Sequence, residues 1–191
     1  MNPGEIWEAL GGRGEPPAAL GRSKGPLLIL GGGACVWDDY AKVRPWKGEL
    51  MAINDVGQYL HDPLRHWVTL HPEFMAGWRY FREKHLYSPG YDLTCHSQKI
   101  NTSINTVWAI ENIGGSSGLF GCFLGLLMGY DEIVLAGIPM DSTRHFFDPP
   151  WYGGELGDRA NEIVWTEARD RYFDGRVKSL SGRTRNWMGA P

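Results

Sequence analysis

Two short apolar runs, PLLILGGG at 26–33 and DEIVLAG at 131–137, are each halted by glycine. Continuous apolar runs of that length read as strands buried on both faces, and such strands occupy the middle of a parallel sheet. Parallel neighbours cannot be joined by hairpins, so the chain between them has to supply crossovers. ELMAIND at 49–55 and HWVTLHP at 66–72 read as two more strands, each ending in polar residues. INTVWAIEN at 104–112 reads as another and RVKSL at 176–180 as a last one.

The intervening segments fit the crossovers. DDYAKVRPW and VGQYLHDPL are short and interrupted by proline, which predicts compact connections. PEFMAGWRYFREKHLY at 72–87 has helical spacing at Phe74, Trp78, Phe81 and His85 and is expected to pack on the sheet. A helix from about Ser117 to Met128 is apolar nearly all round, which implies burial on more than one side. Gly121 and Gly125 stand one turn apart on it and would let a strand approach its backbone. DRANEIVWTEARDRYF at 158–173 is amphipathic, with Ile163, Val164, Glu167 and Arg171 marking its spacing. Alternating strands and helices predict an α/β chain with one Rossmann-like domain: a mostly parallel central sheet and helices on both faces. Residues 1–25, with a short helix and a loop rich in Gly and Pro, read as a leader, and 26–191 as the domain.

Bulk properties narrow the function. A formal charge of −3 gives no general attraction to nucleic-acid phosphates or anionic lipid. Cys35, Cys95 and Cys122 are odd in number and widely spaced, which suits neither a disulfide framework nor paired metal ligands and suggests a reducing cytoplasm. The N-terminus lacks a signal pattern, and no apolar stretch approaches the roughly 20 residues of a membrane span. Nine Trp and eight Tyr serve either as core filler or as ligand walls. Homo-oligomerisation stays open.

In an open parallel sheet, ligands bind beyond the carboxyl ends of the strands. That rule gathers Gly31, Gly32 and Gly33, then Asn54 with Asp55, His71 with Pro72, and the stretch from Gly137 to Asp141 on one rim. The turn GGSSG at 114–118 opens the apolar helix on the same rim. A helix start offers unpaired N–H groups and partial positive charge, so a phosphate is its natural guest, with Ser116, Ser117 and Gly118 as the cradle. Plain helix capping by one serine is the simpler alternative. No P-loop is present, since no Gly-Lys-Ser or Gly-Lys-Thr follows, and Val36 occupies the third glycine place of a dinucleotide fingerprint. The turn does match G-x-S-x-G, which would make Ser116 a hydrolase nucleophile with Asp141 and His145 following in order.

LLILGGGACVWDDY together with SSGLFGCFLGLLMGYDEIVLAGIPMD resembles the bacterial family 42 sialyltransferases and the related archaeal-type pterin pyrophosphokinases, over about 27–148. The resemblance implies a fold that, in the sialyltransferases, binds a cytidine sugar nucleotide without needing a metal. Gly31, Gly32 and Gly33 match the first glycine turn, where the sialyltransferases carry an asparagine at the place of Gly32. Asn54 matches the asparagine after the second strand, and His71 with Pro72 aligns with an Asn-Pro after the third. Ser117 and Gly118 match the Ser-Gly turn, and Tyr152 or His145 would take the role of a tyrosine that supports the leaving phosphate. The sialyltransferase histidine base lies further along, whereas no histidine follows His145 here.

The expected activity is therefore metal-independent glycosyl transfer from a nucleotide sugar, CMP- or UDP-linked, to an unidentified acceptor. Asn54 and Asp55 would meet the nucleoside, and Asp141, His145 and His71 are the candidate bases. Three other functions stay in view. A pterin-type pyrophosphokinase would need ATP, Mg²⁺ and a carboxylate cluster, for which Asp38, Asp39 and Asp141 are the hint. The others are a nucleotide-binding protein without turnover and the serine hydrolase.

Overall fold

Pro26–Leu30 forms the strand β1, and its residues alternate between two cores: Leu27 and Ile29 face one, Leu28 and Leu30 the other. The computed structural model describes residues 1–86, 93–111, 113–114, 116–149 and 159–191. The strands that follow are β2 (Glu49–Ile53), β3 (His66–Val68), β4 (Thr94–Ser97), β5 (Thr106–Val107), β6 (Glu132–Ala136) and β7 (Val177–Ser179). They form one seven-stranded sheet in the order β5-β4-β3-β2-β1-β6-β7. Every pairing is parallel, with Leu28 opposite Leu50 on one side and Val134 on the other.

The helices are α1 (Pro3–Ala9), α2 (Val36–Val43), α3 (Met75–His85), α4 (Ser117–Met128), α5 (Arg159–Ala168) and α6 (Gly182–Met188). One face of the sheet is covered by α1, α4 and α5, the other by α2 and α3. All residues of α4 from Gly118 to Met128 are buried. It lies so close to the sheet that a Cβ on Gly121 would fall 2.7 Å from Ile53 Cδ1, and one on Gly125 would fall 2.7 Å from Ile133 Cδ1. Small residues one turn apart make that approach possible, as their spacing suggested. Residues 1–10 belong to the same packing: Asn2 caps α1, and Ile6, Trp7 and Leu10 are buried in the core that α4 shares.

Some elements differ from their sequence reading. The strand β4 escapes apolar periodicity because its inward residues are Cys95, His96 and Ser97. In α3 the fully buried residues are Met75 and Arg82, while Phe74 and His85 are exposed and Trp78 and Phe81 are half-buried. Arg82 escapes the pattern because its guanidinium turns inward to donate to the carbonyls of Gly57, Leu60 and Asp62. In α5 the inward positions are Trp165 and Ala168, and Ile163 is 49% exposed. The basic tail is helical in α6, anchored by buried Thr184 and Met188. No helix among the described residues is long and apolar enough to cross a membrane.

Candidate functional site

β1 leads into α2 on one face of the sheet, whereas β6 leads towards α5 on the opposite face. Adjacent strands whose connections part in this way leave a crevice at their carboxyl ends. A cavity of about 290 Å³ opens there. Gly31, Gly32 and Gly33 form its wall after β1, and Ile53 and Asn54 its wall after β2. Ser116, Ser117 and Gly118 enter from the start of α4, Asn161 from α5, and the segment from Gly137 to His145 closes the far side.

The glycine turn is built by backbone proximity. A Cβ on Gly31 would lie 2.4 Å from Ile138 Cγ1 and 2.9 Å from the Gly137 carbonyl oxygen. Gly137 itself has φ +65°, and its Cβ would meet Val36 Cβ at 2.4 Å. These glycines let the ends of β1 and β6 stay in contact past the last strand residue, through Gly31 N–H to Ala136 O at 2.9 Å and Gly33 N–H to Gly137 O at 2.8 Å. Two other cavity residues, Asn54 at φ 54° and Met140 at φ 49°, occupy the left-handed region that side chains avoid. Asn54 is held there by Thr69, whose hydroxyl donates to Asn54 Oδ1 at 2.8 Å.

At the start of α4, Ser116 Oγ accepts the Leu119 N–H at 3.4 Å, so this serine does cap the helix. The cap leaves the Ser116 O–H as a donor. The N–H groups of Ser117 and Gly118 precede the first intrahelical bond, from Phe120 N–H to Ser116 O at 2.9 Å. They therefore face the cavity end of the helix with its partial positive charge.

On the opposite wall, residues 144–146 run antiparallel to 32–34. Gly33 bridges His145, Ala34 N–H donates to Arg144 O at 2.8 Å, and Phe146 N–H donates to Gly32 O at 2.9 Å. This bridge fixes the His145 backbone. Asp148 then fixes its ring: Oδ2 accepts the His145 backbone N–H at 2.9 Å and lies 3.3 Å from Nδ1. With Nδ1 carrying the proton towards Asp148, Nε2 presents a lone pair. Asp55 stands on the other side of Gly32, whose Cβ would lie 3.7 Å from Asp55 Oδ1 and 3.2 Å from His145 Cδ2. Burial raises the pKa of the Asp55 carboxyl, opposed by its own backbone hydrogen bond and by His145.

Comparison with known proteins places this architecture. No family model and no curated protein sequence matches the chain. Solved structures do. The sialyltransferase CstII from Campylobacter jejuni, in complex with the substrate analogue cytidine-5′-monophosphate, superposes with a TM-score of 0.57 at 17% identity, over 86% of this chain and 84% of that one. The structure of CST-II with a trisaccharide acceptor and CMP gives 0.59 at 12% identity, over 86% and 85%. An alpha-2,3-sialyltransferase from Campylobacter jejuni in its apo form gives 0.56 at 14% identity, over 93% and 84%. The chain has a sialyltransferase-like fold.

Against that fold the predicted residues distribute unevenly. Gly31, Gly32, Gly33, Asn54, Ser116, Ser117, Gly118, Asp141 and His145 share the cavity, and Asp55 borders it beside Gly32. His71 does not line it: the ring is exposed and sits 3.5 Å from Glu73. Tyr152 lies outside the described residues. Asp141 holds a turn, accepting the Thr143 N–H at 2.8 Å. The Ser116, Asp141, His145 relay of a hydrolase is not assembled, because His145 pairs with Asp148. Nor does the helix at Ser116 follow directly from a strand, since β5 ends at Val107. Asp39, part of the carboxylate hint for Mg²⁺, is fully buried and bonded to Ser181 and the Gly137 N–H. Among the described residues no three His, Cys, Asp or Glu side chains are grouped to hold a metal ion. Sequence reasoning missed Asp148, for which the short spacing HFFD was the available signal, and Thr143 and Asn161, which had none.

Proposed function

We propose that the chain is a nucleotide-sugar-dependent glycosyltransferase whose donor lies in the cavity between β1 and β6. The observation that carries the reading is that one chamber joins a helix start suited to phosphate with a histidine oriented by a carboxylate. The donor phosphate sits on the N–H groups of Ser117 and Gly118 and the Ser116 hydroxyl, with the nucleoside towards Asn54 and Asp55. The CMP bound by the sialyltransferase neighbours makes a CMP-linked donor the first to test, with a UDP-linked donor as the alternative.

In the transfer step the acceptor hydroxyl oxygen forms the new bond to the anomeric carbon, and the bond from that carbon to the phosphate oxygen breaks. The electron pair leaves with the nucleotide, whose added charge the start of α4 stabilises. His145 Nε2 takes the hydroxyl proton, and Asp148 stabilises the imidazolium that results. A base in this position is typically worth about 10²- to 10⁴-fold in rate.

Thermal shift of the full chain with CMP, UDP, GDP and ATP, each with and without Mg²⁺, tests the reading. The expected result is stabilisation by a pyrimidine nucleotide that persists in EDTA. A strict requirement for ATP with Mg²⁺ would move the protein to the pyrophosphokinases. Indifference to all four nucleotides would remove the donor site.

A further inference from the structure

The face of α3 that points away from the sheet carries a pattern for which nothing among the described residues accounts. A short 3₁₀ turn, Pro72–Phe74, runs straight into α3, and Met75, Arg82 and Leu86 turn inward. Glu73, Gly77, Tyr80 and Lys84 follow one another at intervals of four, three and four residues along the opposite, exposed crest. Tyr80 is 65% exposed, and beside the crest Phe74 is 55% exposed. Large aromatic side chains gathered on one open face are unusual unless something covers them. Gly77 is equally out of place. Glycine weakens a helix interior relative to alanine, yet the backbone here is helical and a Cβ would meet no described atom within 4 Å.

We infer that this face is the interface of a symmetric homodimer, in which two α3 helices pack antiparallel about a two-fold axis passing between Trp78 and Arg79. The crest is complementary to its own reverse. With the axis there, Glu73 falls opposite the partner's Lys84 and Tyr80 falls opposite the partner's Gly77. Acid meets base at both ends, and the large ring meets the one crest position without a side chain, where two helices can approach closely. A lipid surface or an unrelated apolar partner would make no use of charges placed at equal distances from one centre. Glu83 does not compete for Lys84, because it lies 3.7 Å from Arg79 on its own helix. A two-fold axis also sets each shoulder of the helix against itself, so the shoulder of Phe74 and half-buried Trp78, whose rings are 5.8 Å apart, meets its own copy. The exposed parts of the aromatic side chains come to roughly 300 Å² per copy. With the polar residues around them the contact reaches about 600 Å² per partner, the scale of a weak, reversible dimer. Because α3 follows β3, two strands from the crevice, the donor cavity stays open, and the inference does not rest on the transferase reading.

Sedimentation velocity of the full chain from about 1 μM to about 0.1 mM tests this, with far-UV circular dichroism to show that each variant is folded. The unaltered chain is expected to pass from monomer to dimer within that range. Glu73→Lys and Lys84→Glu should each weaken the dimer about 10-fold or more, because the two-fold axis makes each substitution place like charges opposite one another twice. Glu73→Lys combined with Lys84→Glu restores both pairs and should recover most of the affinity. Gly77→Gln fills the space that the partner's Tyr80 needs: the dimer should weaken, while the monomer becomes more resistant to urea because a glycine has left the helix. A chain that is monomeric throughout overturns the inference, and if it also binds phosphatidylcholine vesicles the face belongs to a lipid surface instead. A dimer indifferent to both single reversals or to Gly77→Gln overturns it as well, since its interface would lie elsewhere. Failure of the double reversal to recover the dimer refutes the antiparallel register.

Discussion

His145 Nδ1 and Asp148 Oδ2 are 3.3 Å apart, and the same carboxylate oxygen accepts the His145 backbone N–H at 2.9 Å. A carboxylate gripping both the backbone and the ring of one histidine fixes the orientation and tautomer together. The ring is stacked on Phe147 at 5.1 Å with planes 7° apart, which limits its rotation further. In the reaction proposed above, this pair is assigned the base role.

His145→Gln is accordingly expected to lower kcat about 10²- to 10⁴-fold with CMP affinity nearly unchanged. Asp148→Asn should cost less, about 10-fold or more, because the amide keeps an acceptor oxygen for the backbone N–H but no longer stabilises the imidazolium. Steady-state kinetics with a CMP-linked sugar, set beside CMP thermal shift, checks both variants. A normal kcat in His145→Gln would remove this residue from the chemistry.

Gly137 and Gly32 line the same cavity for different reasons. A side chain at Gly137 meets Val36 Cβ at 2.4 Å and the Gly31 carbonyl oxygen at 2.6 Å, in a backbone region at φ +65° that disfavours it. A Cβ at Gly32 meets only the edge of the His145 ring at 3.2 Å and Asp55 Oδ1 at 3.7 Å. Gly137→Ala is therefore expected to lose about 2 kcal/mol or more in urea unfolding. Gly32→Ala should stay within about 1 kcal/mol and instead weaken nucleotide binding. Equal stability losses in the two variants would contradict this division.

At the opposite end of the strands lies a buried polar chain. Trp108 Nε1–H donates to His96 Nδ1 at 3.1 Å, His96 Nε2 and His66 Nδ1 are 2.9 Å apart, and His66 Nε2 is 2.8 Å from the Tyr130 hydroxyl, which donates to Glu49. The directions are mutually consistent when both histidines are neutral, each with its proton on Nε2. Burial lowers the pKa of both rings. For His66, Glu49 opposes the shift and Arg65 adds to it; for His96, His66 and Arg65 add to it.

The sign follows from proton counting. Below the ordinary histidine value of about 6.5, the unfolded chain takes up protons that the folded chain refuses, so stability falls as pH drops. Above that value the contribution is constant. The expected slope is up to about 1.4 kcal/mol per pH unit for each histidine. Urea unfolding at a series of pH values from about 7.5 to about 5, which brackets the ordinary value of about 6.5, measures it. A flat profile would mean that both rings take up protons in the folded protein as they do in the unfolded chain.

The sequence made the central sheet legible because β1 and β6 are unbroken apolar runs ending in glycine, a signal that survives without knowledge of neighbours. The same rule placed Gly31, Asn54, Ser117 and Asp141 on one rim, and they share one cavity. What stayed hidden depended on long-range pairing. β4 is polar because His96 bonds to His66 and Asn105 Oδ1 accepts the Cys95 N–H at 2.8 Å, contacts that no periodicity announces. His71 sits at a strand end like the others, yet β3 lies two strands from the crevice and its ring points to Glu73. The cleft lined by Trp37, Tyr59 and Phe146 draws on residues far apart in the chain, and only the fold brings them together.

Asp39 supplies the last test, because it ties the crevice from beneath. Its carboxylate is fully buried, with Oδ2 accepting the Gly137 N–H at 3.1 Å and the Ser181 Oγ–H at 2.5 Å, and Oδ1 accepting Lys42 Nζ at 2.9 Å. One side chain on α2 thereby holds the turn after β6 and the entry to α6. Removing it leaves the buried Gly137 N–H and the partly buried Ser181 hydroxyl without that acceptor, so Asp39→Ala is expected to cost about 3 kcal/mol in urea unfolding. Asp39→Asn keeps one oxygen acceptor and should lose about half as much. Lys42 is more than half exposed, so Lys42→Ala should change stability by less than about 1 kcal/mol. Because Gly137 lines the cavity proposed to hold the donor, Asp39→Ala should also weaken CMP binding at temperatures where it remains folded. An Asp39→Ala protein as stable as Lys42→Ala would show that the crevice is held by the glycine contacts alone.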